Sequence, residues 1–514
     1  MQLIAAPFPL LSLLVAVPAL GALALGLFRP LKAVAKPLGL GISLLVLAGT
    51  IWAACLFDYA QAGSYQLAET HRWIGAIGAS WALGINGLGL AMIGLSAILV
   101  PITLLAGWDE DRRGEVSGFV ALTLAAEAFM VLIFAARDVF LFYVAFEAML
   151  VPMYFLIGRF GWDRVAAKAA ALKFLLYSLA GGLVMLAGVI ALYTVAPSDH
   201  DQYLIENLAG KLQASPGMEM FIFVTFFIAF AVKAPMVPVH TWLADTAAQA
   251  RPGTSTLLVG VLDKIGTFGM ISLCLPLFPS ASAHAAPVIV VLAIISIWWG
   301  ALAALAQKDL MRLISFTSVS HFGIMVMGIF IGSQMALTGA MVYMVAHGLS
   351  IAGLFLIGGF LTERAGTRAI DDFGGMRRVV PVLAGTFLVA GLAAIALPGL
   401  SGFVPELMVL VGTFGVSPWA AGIAVVAVIA AALYILLPYQ KIFTGPTNPA
   451  RQSVSDVGWR EKLGVITPLI VLMLIVGLFP RPLVDTLEPV THTTMQVAGG
   501  IVSEPDASTT EGGK

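Results

Sequence analysis

Long apolar runs separated by short polar intervals dominate this chain of 514 residues. A hydrocarbon core about 30 Å thick needs about 20 apolar residues per crossing helix. By that measure the runs predict fourteen spans, at 7–28, 37–57, 85–107, 116–136, 138–158, 173–195, 219–239, 254–277, 287–306, 313–332, 335–360, 379–414, 418–437 and 463–480. The first run carries neither a basic leader nor a small-residue cleavage site, so a retained helix is expected in place of a signal peptide. The fold class expected is an all-α integral membrane protein.

Two of the runs are interrupted. The seventh reads Phe230-Ala-Val-Lys233-Ala-Pro235-Met-Val-Pro238-Val-His240, and the twelfth Leu397-Pro398-Gly399-Leu-Ser401-Gly402-Phe403-Val-Pro405-Glu406. Proline removes a helical hydrogen bond and clashes with the preceding turn, so each run should break there. Non-helical backbone at membrane depth survives only when buried in protein or lining water. The breaks fall five spans apart, hence in helices of opposite direction. Matching broken helices in two oppositely oriented halves are the mark of an inverted-repeat transporter. Two five-helix units are expected, at 116–277 and 287–437. Helices in 1–107 and at 463–480 would flank them, and the polar stretch 499–514 should be disordered.

The basic residues test this count. Of the 27 Lys and Arg residues, 20 fall in loops after odd-numbered spans, among them Arg112 and Arg113. Five lie on the opposite side (Arg72, Arg137, Lys211, Arg481 and Lys514), and two lie within spans. The bias keeps its phase along the chain, and the positive-inside rule then places both termini away from the cytoplasm. Composition agrees: 60% of residues are hydrophobic, 11% are charged and the mean hydropathy is +0.98. The net charge of −1 argues against nucleic acid as a partner. Cys55 and Cys274 are too few and too far apart for a zinc or iron–sulfur site, and no phosphate loop or dinucleotide fingerprint occurs. No redox cofactor or metal is therefore expected in this chain.

What remains is a set of ionisable groups inside apolar spans: Glu147, Lys233, Lys264, His321, His347 and Glu406. A charge at the bilayer centre costs about 2.5–3.5 kcal/mol on the most lenient scale, and several unpaired ones would cost on the order of 10 kcal/mol. All six fall near mid-span or at a break, which suits a row parallel to the membrane through which protons pass sideways. Burial favours a neutral amine and a nearby carboxylate favours the ammonium. A lysine whose carboxylate partner moves thus gains or loses a proton. Glu147 is the expected partner of Lys233, and the histidines titrate near neutrality and can bridge the gap. Glu127, His240 and Asp263 are accessory candidates. The plainer reading, interhelical glue, is worth about 0.6 kcal/mol per polar residue; it fits a lone histidine better than a lysine. Asp245, His240 and Arg251 are expected as loop anchors or half-channel lining.

At these residues the chain resembles the antiporter-like proton-pumping subunits of respiratory complex I. FAVKAPMVPVHTWLADTAAQARPGTSTLLVGVLDKIGTFGM (230–270) is similar to that family's central signature, LFYVAFEAMLVPMYFLIG (141–158) to its glutamate helix, and LPGLSGFVPELMVLVGTF (397–414) to its second broken helix. The motifs occur in order across most of the chain. A glutamate at 406, and the lack of a long lateral helix, bring it nearest the M-type branch. The resemblance implies fourteen helices with two inverted repeats, Glu147 and Lys233 as a coupling pair, Lys264 as central relay and Glu406 as terminal proton group. His321 and His347 match the connecting path. It also implies neighbours of the L and N types with small membrane subunits, and NADH, FMN, iron–sulfur clusters and quinone in partner subunits; the Ala- and Gly-rich composition points to a bacterial cell membrane. One departure is Asp263, where the family usually has an apolar residue. Adjacent helical side chains point about 100° apart, so Asp263 faces another helix or alters the timing of Lys264.

The leading expectation is a proton-translocating subunit of an NADH–quinone oxidoreductase. A multi-subunit cation/proton antiporter, a membrane-bound hydrogenase with a nickel-containing partner, and a scaffold whose charges only hold helices together are the alternatives.

Overall fold

The computed structural model describes residues 3–6, 8–108, 115–197 and 201–499. Arg112, Arg113 and the polar tail from 500 onward lie outside the described residues. The expected spans appear in order as α1 (Leu10–Leu27), α2 (Ala35–Leu56), α3 (Gly87–Ala106), α4 (Val116–Ala135), α5 (Val139–Phe160), α6 (Arg164–Val195) and α7 (Pro216–Lys233). After a break comes the short α8 (Thr241–Gln249), then α9 (Pro252–Leu277), α10 (Pro279–Leu305), α11 (Leu310–Phe330) and α12 (Gln334–Ala365). The twelfth span is split into α13 (Pro381–Ala394) and α14 (Phe403–Val416), followed by α15 (Pro418–Phe443) and α16 (Trp459–Leu478). Thirteen helices among the described residues are long and apolar enough to cross a membrane. The split span, made of two shorter apolar helices, supplies the fourteenth.

Burial sorts these helices. α9 is buried along its whole length, and α11 and α12 nearly so, whereas α2, α6 and α15 leave most of their apolar surface facing outward. A helix that is apolar all round belongs either to a protein core or to lipid. The outward group presents apolar surface to its surroundings, and the inward group forms the core that holds the ionisable residues.

Polar contacts at the helix ends fall into two sets that do not mix among the described ion pairs. At one end Arg159 pairs with Glu115 at 2.8 Å, Arg364 with Glu461 at 2.6 Å, and Arg368 with Asp309 at 3.2 Å. There Asp245 binds Lys173 at 2.7 Å and also binds Arg312. All of these lie in or beside loops after odd-numbered spans. At the other end lies a small sheet that the apolar runs did not announce. Strand β1 (Leu3–Ala5) runs parallel to β2 (Tyr65–Ile74), which is antiparallel to β3 (Ala79–Ile85). Isolated bridges join Leu83 to Ala136 and Asp138 to Leu204 at this end. Arg137, fully buried here, pairs with Glu206 and donates to Leu83 O (3.0 Å), Glu69 O (3.2 Å) and Thr70 Oγ1 (2.6 Å). An amphipathic helix, α17 (Arg481–Val497), follows the last span and packs against α3 and α12. The up-and-down alternation read from the basic loops is therefore the alternation of the fold.

Candidate functional site: a buried proton row

The two breaks place opposite charges at opposite helix ends. Lys233 is the last residue of α7, and Glu406 lies in the first turn of α14. A helix carries partial negative charge at its C-terminus and partial positive charge at its N-terminus. Each break thus sets its charged side chain against a favourable helix end inside apolar protein. Backbone groups freed at the first break find partners: Trp242 Nε1 donates to Val232 O at 2.9 Å, and the Val237 amide donates to Ser296 Oγ of α10 at 2.9 Å. At the second break Gly399 adopts φ +89°, a conformation that favours glycine, and Ser401 Oγ reaches Ala346 O at 3.4 Å. These contacts meet the requirement that irregular backbone at membrane depth be satisfied within the protein.

Lys233 is 2% exposed. Its ammonium lies 5.0 Å from the centre of the Phe146 ring and 5.3 Å from that of Phe174, two cation–π contacts. Glu147 interacts electrostatically with it but forms no direct ion pair, and its Oε1 has no hydrogen-bond partner among the described residues. The carboxylate fits because Gly182 of α6 has no side chain: a Cβ there would overlap Glu147 Oε1.

Lys264 is fully buried in α9, between two widened π-helical turns, Leu258–Leu262 and Met270–Cys274. Such turns free carbonyl groups and occur often at functional sites. Here Val259 O accepts from Lys264 Nζ at 2.6 Å, and the same ammonium reaches His347 Nδ1 of α12 at 2.7 Å. The His347 ring stands 5.0 Å from His321, edge to face. His321 Nε2 is 3.0 Å from Tyr434 OH, and its ring is 5.9 Å from Tyr343. Tyr343 OH donates to Glu406 Oε2 at 2.6 Å. Lys264, His347, His321, Tyr343 and Glu406 thus form a line of buried polar groups crossing from α9 to α14.

Two members of this neighbourhood, Tyr343 and Tyr434, escaped sequence reasoning because tyrosine carries no formal charge and blends into an apolar run. The available signal was spacing: Tyr343 precedes His347 by four residues, one helical turn. Of the accessory candidates, Glu127 is buried in α4 with neither oxygen hydrogen-bonded. His240 stands at the start of α8 with its ring against Trp299 and Phe316, and its Nδ1 has no partner. Asp263 is fully buried, and neither of its oxygens is hydrogen-bonded among the described residues. Asp245 lies at the polar end beyond the first break. Burial alone would raise its pKa, but hydrogen bonds from Lys173 and Arg312 outweigh burial and hold the carboxyl below its usual range. Cys55 is exposed and Cys274 buried, in different helices; among the described residues no three His, Cys, Asp or Glu side chains converge as metal ligands would.

The arrangement can hold, accept and release protons at several points along one buried line. The sequence model of the family described as "NADH:quinone oxidoreductase/Mrp antiporter, TM" matches residues 136–433, which contain every residue of the row. NADH-quinone oxidoreductase subunit M of Mycobacterium tuberculosis is 42% identical over 96% of this chain and 95% of its own length. Subunit M of Escherichia coli is 39% identical over 80% of this chain and 82% of its own length. Among solved structures, a chain of respiratory complex I from Thermus thermophilus with bound NADH superposes with a TM-score of 0.85 at 30% identity, covering 95% of this chain and all of that one. A chain of the Mrp complex from Dietzia shares the fold, with a TM-score of 0.81 at 23% identity over 96% of this chain and 100% of its own. The chain belongs to the membrane-subunit family of NADH:quinone oxidoreductases and Mrp antiporters, within its subunit M branch.

Proposed function

We propose that this chain translocates protons in the membrane arm of an NADH-quinone oxidoreductase, beside the L- and N-type antiporter-like subunits. The observation that carries the proposal is the buried line from Lys264 through His347, His321 and Tyr343 to Glu406. On the other side of α9, Glu147 and Lys233 complete the row. Ionisable groups at such depth are costly, and a purely adhesive role would call for matched pairs. Glu147 and Lys233 are instead close enough to feel each other without pairing directly.

In this reading, a change in the distance between Glu147 and Lys233 alters the charge that Lys233 can bear. Lys264 receives the proton and passes it to His347 Nδ1. The two histidine rings and Tyr343 carry it to Glu406, from which it leaves. Each donor–acceptor step joins neighbouring groups, so small side-chain movements gate it. Driving one proton against 100 mV costs about 2.3 kcal/mol, which energy released in partner subunits must supply.

NADH oxidation and quinone reduction, with FMN and iron–sulfur clusters, are assigned to those partners, and this chain is assigned no redox centre. The repeats are assigned to 116–277 and 287–437, each holding one break. The end of the molecule bearing Lys173, Arg312 and Arg368 is assigned to the cytoplasm, with both chain termini opposite, on the strength of the basic-residue bias. The test is Lys233→Ala and Glu147→Ala in the intact complex in native membranes. Both should lower quinone reductase activity strongly while flavin-site oxidation of NADH by an artificial acceptor, which reads assembly, stays unchanged. Near-normal quinone reductase activity in both variants would remove these residues from the mechanism.

A further inference from the structure

The row has a gap between its two lysines. Lys264 turns towards α12 and His347, while Lys233 sits at the end of α7 between two phenylalanine rings, and no direct contact joins the lysines. Asp263 stands on the face of α9 that closes this gap. Gly266, three residues on and so on the same face, packs directly on the last turn of α7. A Cβ there would come within 2.5 Å of Phe230 O and 2.6 Å of the Ala234 nitrogen. Asp263 follows the widened Leu258–Leu262 turn and opens the regular segment Lys264–Gly269, so its side chain heads about 100° away from that of Lys264. Lys264 faces α12, and Asp263 shares with Gly266 the side of α9 that packs on α7.

The carboxylate is fully buried, makes no hydrogen bond among the described residues, and interacts electrostatically with both Lys264 and Lys233. A buried carboxyl left without hydrogen bonds is a poor stabilising device whether charged or neutral, and a well-packed apolar residue in its place is often neutral or stabilising. Its cost argues for a working role.

We infer that Asp263 carries the proton between Lys233 and Lys264, joining the two parts of the row. The inference rests on the proton path proposed above. The Lys233 ammonium gives its proton to the Asp263 carboxylate, leaving a neutral amine and a neutral carboxylic acid. The acid then protonates a neutral Lys264 amine, restoring the carboxylate. Charge is conserved at each step, and no bond other than those to the moving proton changes.

The test compares Asp263→Asn, Asp263→Leu and Asp263→Glu with Lys233→Ala in the intact complex. NADH-driven proton uptake by inverted membrane vesicles is measured together with quinone reductase activity and flavin-site NADH oxidation. Asp263→Asn and Asp263→Leu should assemble normally and lose proton uptake about tenfold, a barrier increase of about 1.4 kcal/mol. Asp263→Glu should recover part of the loss, as a titratable group of the same charge would. Redox-induced infrared difference spectra of the wild-type complex should contain a carboxylic-acid band that Asp263→Asn removes, a signature that a fixed charge would not give. Wild-type uptake in both Asn and Leu variants, an unchanged infrared spectrum, or failure of both variants to assemble would overturn the inference. If Asp263→Asn is silent while Lys233→Ala abolishes uptake, only the role of Asp263 falls. If Lys233→Ala is silent too, the whole path falls.

Discussion

Lys264 Nζ lies 2.7 Å from His347 Nδ1, and this contact joins α9 to α12. With the lysine protonated, Nδ1 accepts and the imidazole proton sits on Nε2, which has no partner among the described residues. The contact is therefore a point where a proton can change owner. His347→Ala should lower NADH-driven proton uptake about tenfold in an assembled complex. His321→Ala should act in the same direction, and the double variant should add little, because both interrupt one path. Proton uptake by vesicles and flavin-site NADH oxidation, measured on the same preparation, check this.

Gly182 is expected to be as sensitive as the carboxylate it admits. A Cβ at this position would overlap Glu147 Oε1, so Gly182→Ala must displace the side chain or the helix. Quinone reductase activity in Gly182→Ala should fall towards the level of Glu147→Ala. The same glycine substitution made on top of Glu147→Ala should cost little more. Additive losses would show that the glycine acts through packing alone.

Arg137 belongs to assembly and not to proton transfer. Its guanidinium is fully buried among Glu206, Thr70 and two carbonyls, and ties the small sheet to the loops before α5 and after α6. Removing one partner of a buried pair costs about 3–5 kcal/mol because the other is stranded. Arg137→Ala should reduce the amount of complex recovered in mild detergent. The complex that does assemble should turn over at the wild-type rate per flavin.

Asp245 of α8 makes an acid-sensitive tie between α6 and α11, since it holds Lys173 and Arg312 together. Its folded pKa is held down by those two cations against the opposing effect of burial. The stability it contributes is thus complete above the unfolded carboxylate range, about pH 4, and is lost as pH falls through the lower folded value. The side chains are about a third exposed, so screening reduces the effect. Asp245→Asn should lower the temperature of thermal aggregation slightly at neutral pH and remove this part of the wild-type acid dependence, as followed by heating scans at several pH values.

The apolar runs were legible because lipid imposes a one-dimensional rule: a helix must stay apolar long enough to cross. Pro235, Pro238, Pro398 and Pro405 marked the breaks for an equally local reason. The charged members of the row stood out against their spans. What stayed hidden depends on neighbours distant in sequence. The strand pairing of Tyr65–Ile74 with Ala79–Ile85 lies between two spans and has no strong alternation of its own. Helix Arg481–Val497 is weakly hydrophobic and carries Pro482 and Pro489, so only its packing on α3 and α12 explains it. The π-helical turn that exposes Val259 O to Lys264 leaves no residue signature, and Tyr343 becomes part of the row only when α14 brings Glu406 against it.

In the proposed path Lys264 works by releasing its proton, and Lys264→Arg tests this most directly. Arginine keeps the positive charge and can donate to His347, yet it does not deprotonate in proteins. NADH-driven proton uptake should fall about tenfold or more in the assembled Lys264→Arg complex, with flavin-site NADH oxidation unchanged. Wild-type proton uptake in that variant would mean that a fixed charge suffices at this position, and would contradict a path that runs through Lys264.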